Sequence, residues 1–328
     1  MPDRIILKKN AKQRLELSKT DLQLLAFLEQ QRMLTLQQLY QVATEIFEIR
    51  TKEYSFKNRL RKFEDYFLIR GYKYSEGFDG ERLKYLVIGS RGISLLIKYN
   101  LLDSEYNKSK IYKFNQKKNL MHFLATQQAA INILNSLHTK VIKDEVSNET
   151  KYPNFYDLTL FSHSPSVFQY TEWIRKEKNL HRQNKGAYHS NIAKNMNGNS
   201  STFGKTMTFV KPDWIIELQS KKAKKAYINI ELDMGTEPIE TLIEKVFKYA
   251  ILAERNKEEL HIMDLVIADN SFSNRSKFTD GVKRAHNIVN RFAADPAIKK
   301  RLNESGLKLI IHPLRDNEKT IYNVLTRF

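Results

Sequence analysis

At 328 residues the chain exceeds what one small core needs, and roughly 100 to 200 residues per domain points to two units. Lysine and arginine outnumber aspartate and glutamate by 55 to 37, a net charge of +18 with a pI near 9.7; this favours a polyanionic partner, nucleic acid ahead of an anionic membrane surface, and names no reaction. Zero cysteines exclude disulfides, thiolate zinc sites and cysteine nucleophiles, so a bound metal would be a hard cation such as magnesium, held by carboxylate, carbonyl or imidazole.

A hydrophobic fraction of 41% is enough to bury sizeable cores. No apolar run approaches the ~20 residues of a spanning helix, and "MPDRIILKKNAKQ" lacks the apolar centre of a signal peptide, so no membrane partner and a cytoplasmic location are expected.

From Ser18, "SKTDLQLLAFLEQQR" sets Leu22, Leu25, Ala26 and Leu28 at helical spacing behind Ser18 or Thr20 as N-cap. "TLQQLYQVA" predicts a short second helix capped by Thr35. In "KEYSFKNRLRKFEDYF", Phe56, Leu60, Phe63 and Phe67 form an apolar stripe, leaving Lys57, Asn58, Arg61 and Lys62 on other faces. "FLIRGYKY" and "RLKYLVIG" flank the Gly-rich "SEGFDGE" and read as a hairpin, followed by a helix from Ser90 to about Asn100. Three helices and a hairpin in that order predict a winged helix over residues 1–102, with Lys57, Arg59, Arg61 and Lys62 as its DNA contacts. A bare solvated face is the bland alternative for such a basic helix. Phosphate contacts there would give affinity and salt sensitivity, not sequence reading.

Residues 103–118 are polar and basic without period and read as a linker. Residues 119–328 then form the second domain. "NLMHFLATQQAAINILNSL" opens it as a long helix, and residues 175–205, basic and rich in Asn, Ser and Gly, read as a mobile loop. "DWIIEL" and "AYINIEL" read as consecutive strands joined by "QSKKAKK". "TEPIETLIEKVFKYAILAE" is a helix with a continuous apolar stripe, Thr236 positioned to cap it and Pro238 in its first turn. "MDLVIAD" suits a buried strand, "KFTDGVKRAHNIVNRFAAD" another helix and "GLKLIIHPL" a last strand. The fold class expected is therefore multi-domain α/β.

The chemistry concentrates where two strands bring carboxylates together. Glu231 and Asp233, at i and i+2, point the same way from one strand, and Asp213 opens the strand before it. Three acids in one small volume raise one another's pKa, a conflict that a divalent cation removes; magnesium, or manganese in its place, is the expected cofactor. Lys245, at the edge of the following helix's stripe, is placed to face a phosphate, although a lysine there commonly reaches to solvent. Tyr249, one turn on, reads as a packing residue.

"PDWIIEL" and "INIELDMGTEPIETLIEKVFKY" resemble the strand, strand and helix of the replication-relaxation family, whose members are similar to PD-(D/E)xK nucleases and to restriction-endonuclease-like relaxases of mobilisable plasmids. The resemblance implies a restriction-endonuclease-like domain with a central mixed sheet behind the winged helix. Pro212 and Asp213 match the PD element and Glu231 the second acid. Asp233 stands where lysine is usual, which passes the basic role to Lys245. It further implies a plasmid or mobile-element relaxase that nicks DNA at an origin of transfer or replication, using Asp213, Glu231 and Asp233 for metal and Lys245 for the phosphate. Duplex origin DNA, a single strand, and plasmid transfer or replication proteins are the partners that follow. The rival expectation is a non-catalytic DNA-binding replication accessory with a degenerate nuclease fold, which the Asp233 departure favours.

Overall fold

The computed structural model describes residues 4–9, 13–75, 82–106, 120–147, 157–163, 168–175, 203–219, 225–272 and 281–317. The chain is mixed α/β and divides into two compact units, residues 1–124 with 137–140, and residues 125–136 with 141–328. The expected linker over 103–118 lies mostly outside the described residues, as do the hairpin tip at 76–81, most of the loop expected over 175–205, and the turn at 220–224.

The first unit opens with a hairpin that the sequence reading did not anticipate. Strands β1 (Arg4–Lys8) and β2 (Arg14–Ser18) pair antiparallel, with Ile5, Leu7, Leu15 and Leu17 buried and their neighbours exposed. Ser18 ends β2 and caps α1 (Lys19–Gln31): its hydroxyl accepts from the Asp21 amide while the Asp21 carboxylate accepts from the Ser18 amide at 2.7 Å. This capping box satisfies two amides that the helix itself cannot. Thr35, in the two-residue β3 (Leu34–Thr35), does the same for α2 (Leu36–Gln41) with Gln38 as its partner. Helix α3 (Glu53–Asp65) buries Phe56, Leu60 and Phe63 of the expected stripe but ends before Phe67, which takes a left-handed φ of 57 and is exposed. Strands β4 (Ile69–Ser75) and β5 (Arg82–Ile88) follow, and the sheet order β3-β5-β4 is antiparallel throughout. Gly89 then admits no side chain, since a Cβ would lie 2.3 Å from the Phe67 carbonyl oxygen. Helix α4 (Ser90–Lys98) is followed by Asn100 at φ 57, a left-handed conformation that Asn tolerates.

The long helix α5 (Leu120–Ser147) is shared between the two units. In the second unit, β6 (Asp157–Ser162), β9 (Trp214–Gln219), β10 (Lys225–Asp233), β11 (Leu260–Ile267) and β12 (Lys308–Pro313) form a five-stranded mixed sheet in the order β12-β11-β10-β9-β6. Strands β10, β11 and β12 run parallel; β9 is antiparallel to both of its neighbours. Strands β7 (Phe168–Arg175) and β8 (Phe203–Val210) pair separately as an antiparallel ribbon. Burial is continuous along β10 and β11, so both faces of these central strands are covered, even where β10 carries Asn229, Glu231 and Asp233 on one face.

One face of the sheet, carrying Ile215, Tyr227, Met263, Leu265 and Ile267, packs with α6 (Ile239–Arg255), α7 (Gly281–Ala294) and α8 (Pro296–Ser305). Helix α8 is an addition to the expected order, capped by Asp295 and closed by Gly306 at φ 74. Thr236 does not cap α6: Pro238 is the N-cap residue and offers no side-chain acceptor. The carboxylate of Asp233, rather than a hydroxyl, receives the turn amides ahead of the helix.

Candidate active site

The site stands at the C-terminal end of β10, on the face covered by α6. Strands β9 and β10 pair with Trp214 opposite Ile230, and the Asp213 amide extends the ladder by donating to the Ile230 carbonyl at 3.0 Å. That register sets Asp213 opposite Glu231, and directly opposed residues of an antiparallel pair share a face. The Asp213 carboxylate accepts a hydrogen bond from the Leu232 amide at 3.0 Å, which holds it against β10.

Glu231 is 4% exposed. Its Oε1 accepts from the Tyr249 hydroxyl at 2.7 Å, and the Lys245 Nζ lies 3.0 Å from its Oε2. Lys245 also donates to Glu237 Oε2 at 3.0 Å, so one ammonium bridges two carboxylates. Lys245 and Tyr249 are one turn apart on α6, the spacing that puts both on one side of the helix. Tyr249 is buried, as a packing residue would be, and it is also a donor to the central acid.

The electrostatics follow from this crowding. Burial, and then the neighbouring Asp213 charge, push the Glu231 carboxyl up to about 7, against the pull of Lys245 and the Tyr249 hydrogen bond. Partial burial alone would weaken the hold of Lys245 on its proton, but Glu231 and Glu237 more than offset it and raise its pKa. Burial together with Glu231 raises the Tyr249 phenol, which stays protonated as a donor.

Asp233 is engaged differently. Its Oδ1 accepts from the amides of Gly235 at 2.8 Å and Glu237 at 3.4 Å, and its Oδ2 takes the Arg284 guanidinium from α7. Arg284 also donates to the Glu237 carbonyl at 2.6 Å, clamping the β10–α6 turn, in which Gly235 sits at φ 85. Of the three acids expected to converge, the structure opposes Asp213 and Glu231 and ties Asp233 to the turn and to Arg284. Among the described residues no group of three or more His, Asp or Glu side chains is disposed to hold a metal ion. The donor set is two opposed hard oxygen ligands, and magnesium commonly takes one or two carboxylates from protein, so in number and kind the residues fit such an ion, while Lys245 already balances part of their charge.

Two participants were missed by the sequence reading. Glu237 lies in the turn that was read as a helix start, and its nearness to Lys245 could have been sought from the helix phase. Arg284 comes from 51 residues beyond Asp233, with no local signal.

The predicted DNA-contact residues of α3 part company in the same way. Arg61 and Lys62 are exposed; Lys57 is partly exposed and pairs with Glu53 at 2.6 Å. Arg59 turns inward, its guanidinium bound to Asp21 at the start of α1, donating to the Glu16 carbonyl and lying over the Phe63 ring. It fastens α3 to α1. Tyr54, 74% exposed, and Asn58 share the outward face with Arg61.

A family model described as replication-relaxation matches residues 25–262, which takes in α3, both opposed acids, Lys245 and Tyr249 and stops short of Arg284. No curated protein and no solved structure matches the chain.

Proposed function

Since the chain belongs to the replication-relaxation family, a membership that points to DNA work in replication or on a mobile element, we propose that its second unit cleaves a phosphodiester of origin DNA in one strand. The observation that carries this reading is the opposition of Asp213 and Glu231 across β9 and β10, with Lys245 beside them. The resemblance to PD-(D/E)xK nucleases supports it. A magnesium or manganese ion held by Asp213 and Glu231 would stabilise charge on the scissile phosphate and lower the pKa of the attacking oxygen.

The chain's own groups do the rest. Tyr249 holds the Glu231 carboxylate in place by its hydrogen bond, within the field of the Asp213 charge. Lys245, 28% exposed, turns its ammonium from Glu237 to a phosphate oxygen and stabilises the charge that develops there. Asp233 and Arg284 hold the turn from which Glu237 and α6 depart. The buried, protonated hydroxyl of Tyr249 makes it a positioning group and a poor covalent nucleophile. In the first unit, the order of α1, β3, α2, α3 and the β4–β5 hairpin supports a winged helix that places Arg61 and Lys62 on duplex phosphates.

Supercoiled origin DNA with magnesium should yield open circles, and Asp213→Ala should abolish them; a fully active Asp213→Ala removes the central assignment. A second reading, a non-catalytic DNA-binding accessory, is favoured by one observation: Lys245 already supplies the counter-charge that Glu231 requires. Calorimetry with manganese separates the two. A binding heat that Glu231→Ala abolishes supports catalysis, and duplex binding with no manganese heat supports the accessory.

A further inference from the structure

Helix α7 presents an outward face that the proposed reaction does not use. Its Gly281, Ala285, Ile288 and Phe292 are buried, and none of its 14 residues is a carboxylate. By helical phase, Lys283, Asn287 and Asn290 stand opposite that buried stripe and Arg291 stands at its flank; all four are exposed. Lys283 and Arg291 form no ion pair among the described residues, whereas Arg284 and Arg301 are matched to Asp233 and Glu254. Two unmatched cations flanked by amide side chains, with no acid on the same helix, complement a phosphate backbone.

The position of the face adds a second argument. Arg284 ties the first turns of α7 to the β10–α6 turn, next to Glu237 and, through it, Lys245. Arg291 lies on the same side of the helix as Arg284, two turns further, about 11 Å along the axis. A strand whose phosphate meets Lys245 is therefore led onto α7. An anionic membrane is a poorer match, because the main apolar stripe of this helix is buried against the fold and of its large apolar side chains only Val282 and Val289 stay exposed, too small a face to insert.

We infer that α7 is a DNA track of the second unit, with Lys283 and Arg291 binding backbone phosphates of the strand held at the Asp213–Glu231 site. The inference rests on that site being one that handles DNA, but its test reads binding alone. The full chain is titrated, in EDTA and over a range of potassium chloride, against fluorescein-labelled duplex and single-stranded DNA of arbitrary sequence. Lys283→Ala and Arg291→Ala, singly and together, should weaken binding and reduce the slope of log K against log salt by about 0.9 for each duplex phosphate that is no longer neutralised. Lys257→Ala removes the same charge from the exposed turn after α6 and should leave the slope unchanged.

An unchanged slope in the double variant overturns the track. So does an equal fall with Lys257→Ala, which would mark a bulk charge effect, and so does wild-type binding without salt dependence. Loss of binding to phosphatidylserine vesicles in Lys283→Ala, with the DNA slope intact, would also overturn it by assigning the face to membranes. A shallower slope in a protein that never nicks keeps the track and removes the catalytic reading alone. Nicking with an unchanged slope does the reverse.

Discussion

Glu231 concentrates the chemistry of this protein in one side chain. Its carboxyl is raised from 4.5 to about 7, so the folded protein binds that proton more tightly than the unfolded chain does. Stability from this group is full below the unfolded value and is lost as pH rises through about 7. In metal-free buffer the second unit should therefore be weaker at about pH 8 than at about pH 5 by roughly 2 to 3 kcal/mol from this group. Glu231→Gln should lack that component. Both tryptophans, Trp173 and Trp214, belong to the second unit, so urea unfolding followed by fluorescence isolates it. Identical pH dependence in wild type and variant would show that Glu231 does not titrate as described. The opposition of Asp213 and Glu231 was legible in the sequence because two short strands in succession leave few ways to pair. The Asp233–Arg284 contact was not, because alternation assigns Asp233 to a face and cannot say that a distant helix will reach it first.

Among the elements, α3 separates two roles that its sequence merges. Its stripe of Phe56, Leu60 and Phe63 was plain from periodicity, yet all its cations looked equivalent. Asp21 is 4% exposed and needs a counter-charge, and Arg59 is the residue in reach. Arg59→Ala should destabilise the first unit by about 1 to 3 kcal/mol, discounted for the partial exposure of the guanidinium. Arg61→Ala and Lys62→Ala should leave stability within about 0.5 kcal/mol and weaken duplex binding with a shallower salt slope. Calorimetric melting beside a binding titration checks both; an Arg59→Ala protein that melts normally but binds DNA poorly would reverse the assignment. The β1–β2 hairpin and α8 were hidden for opposite reasons. Each arm of the hairpin offers only two buried positions, too few to establish a period. Helix α8 carries an Asp295 cap, Pro296 and a terminal Gly306, but follows α7 so closely that the two read as one helix and its tail.

At the scale of the whole molecule, the pairing pattern of the second unit has a consequence for its assembly. Strand β6 joins the sheet beside β9, across β7, β8 and residues 176–202, and β11 and β12 reach their neighbours only after intervening helices. The first unit instead contains two hairpins and helices joined by short connections. Chain closure over long intervals slows folding, whereas nearby pairings nucleate quickly. The amino-terminal unit should thus acquire its structure while the carboxy-terminal sheet is still searching for its partners, an order that also suits synthesis from the amino end. On dilution from urea, far-ultraviolet circular dichroism will begin to recover before tryptophan fluorescence, and simultaneous recovery would refute this sequence of events.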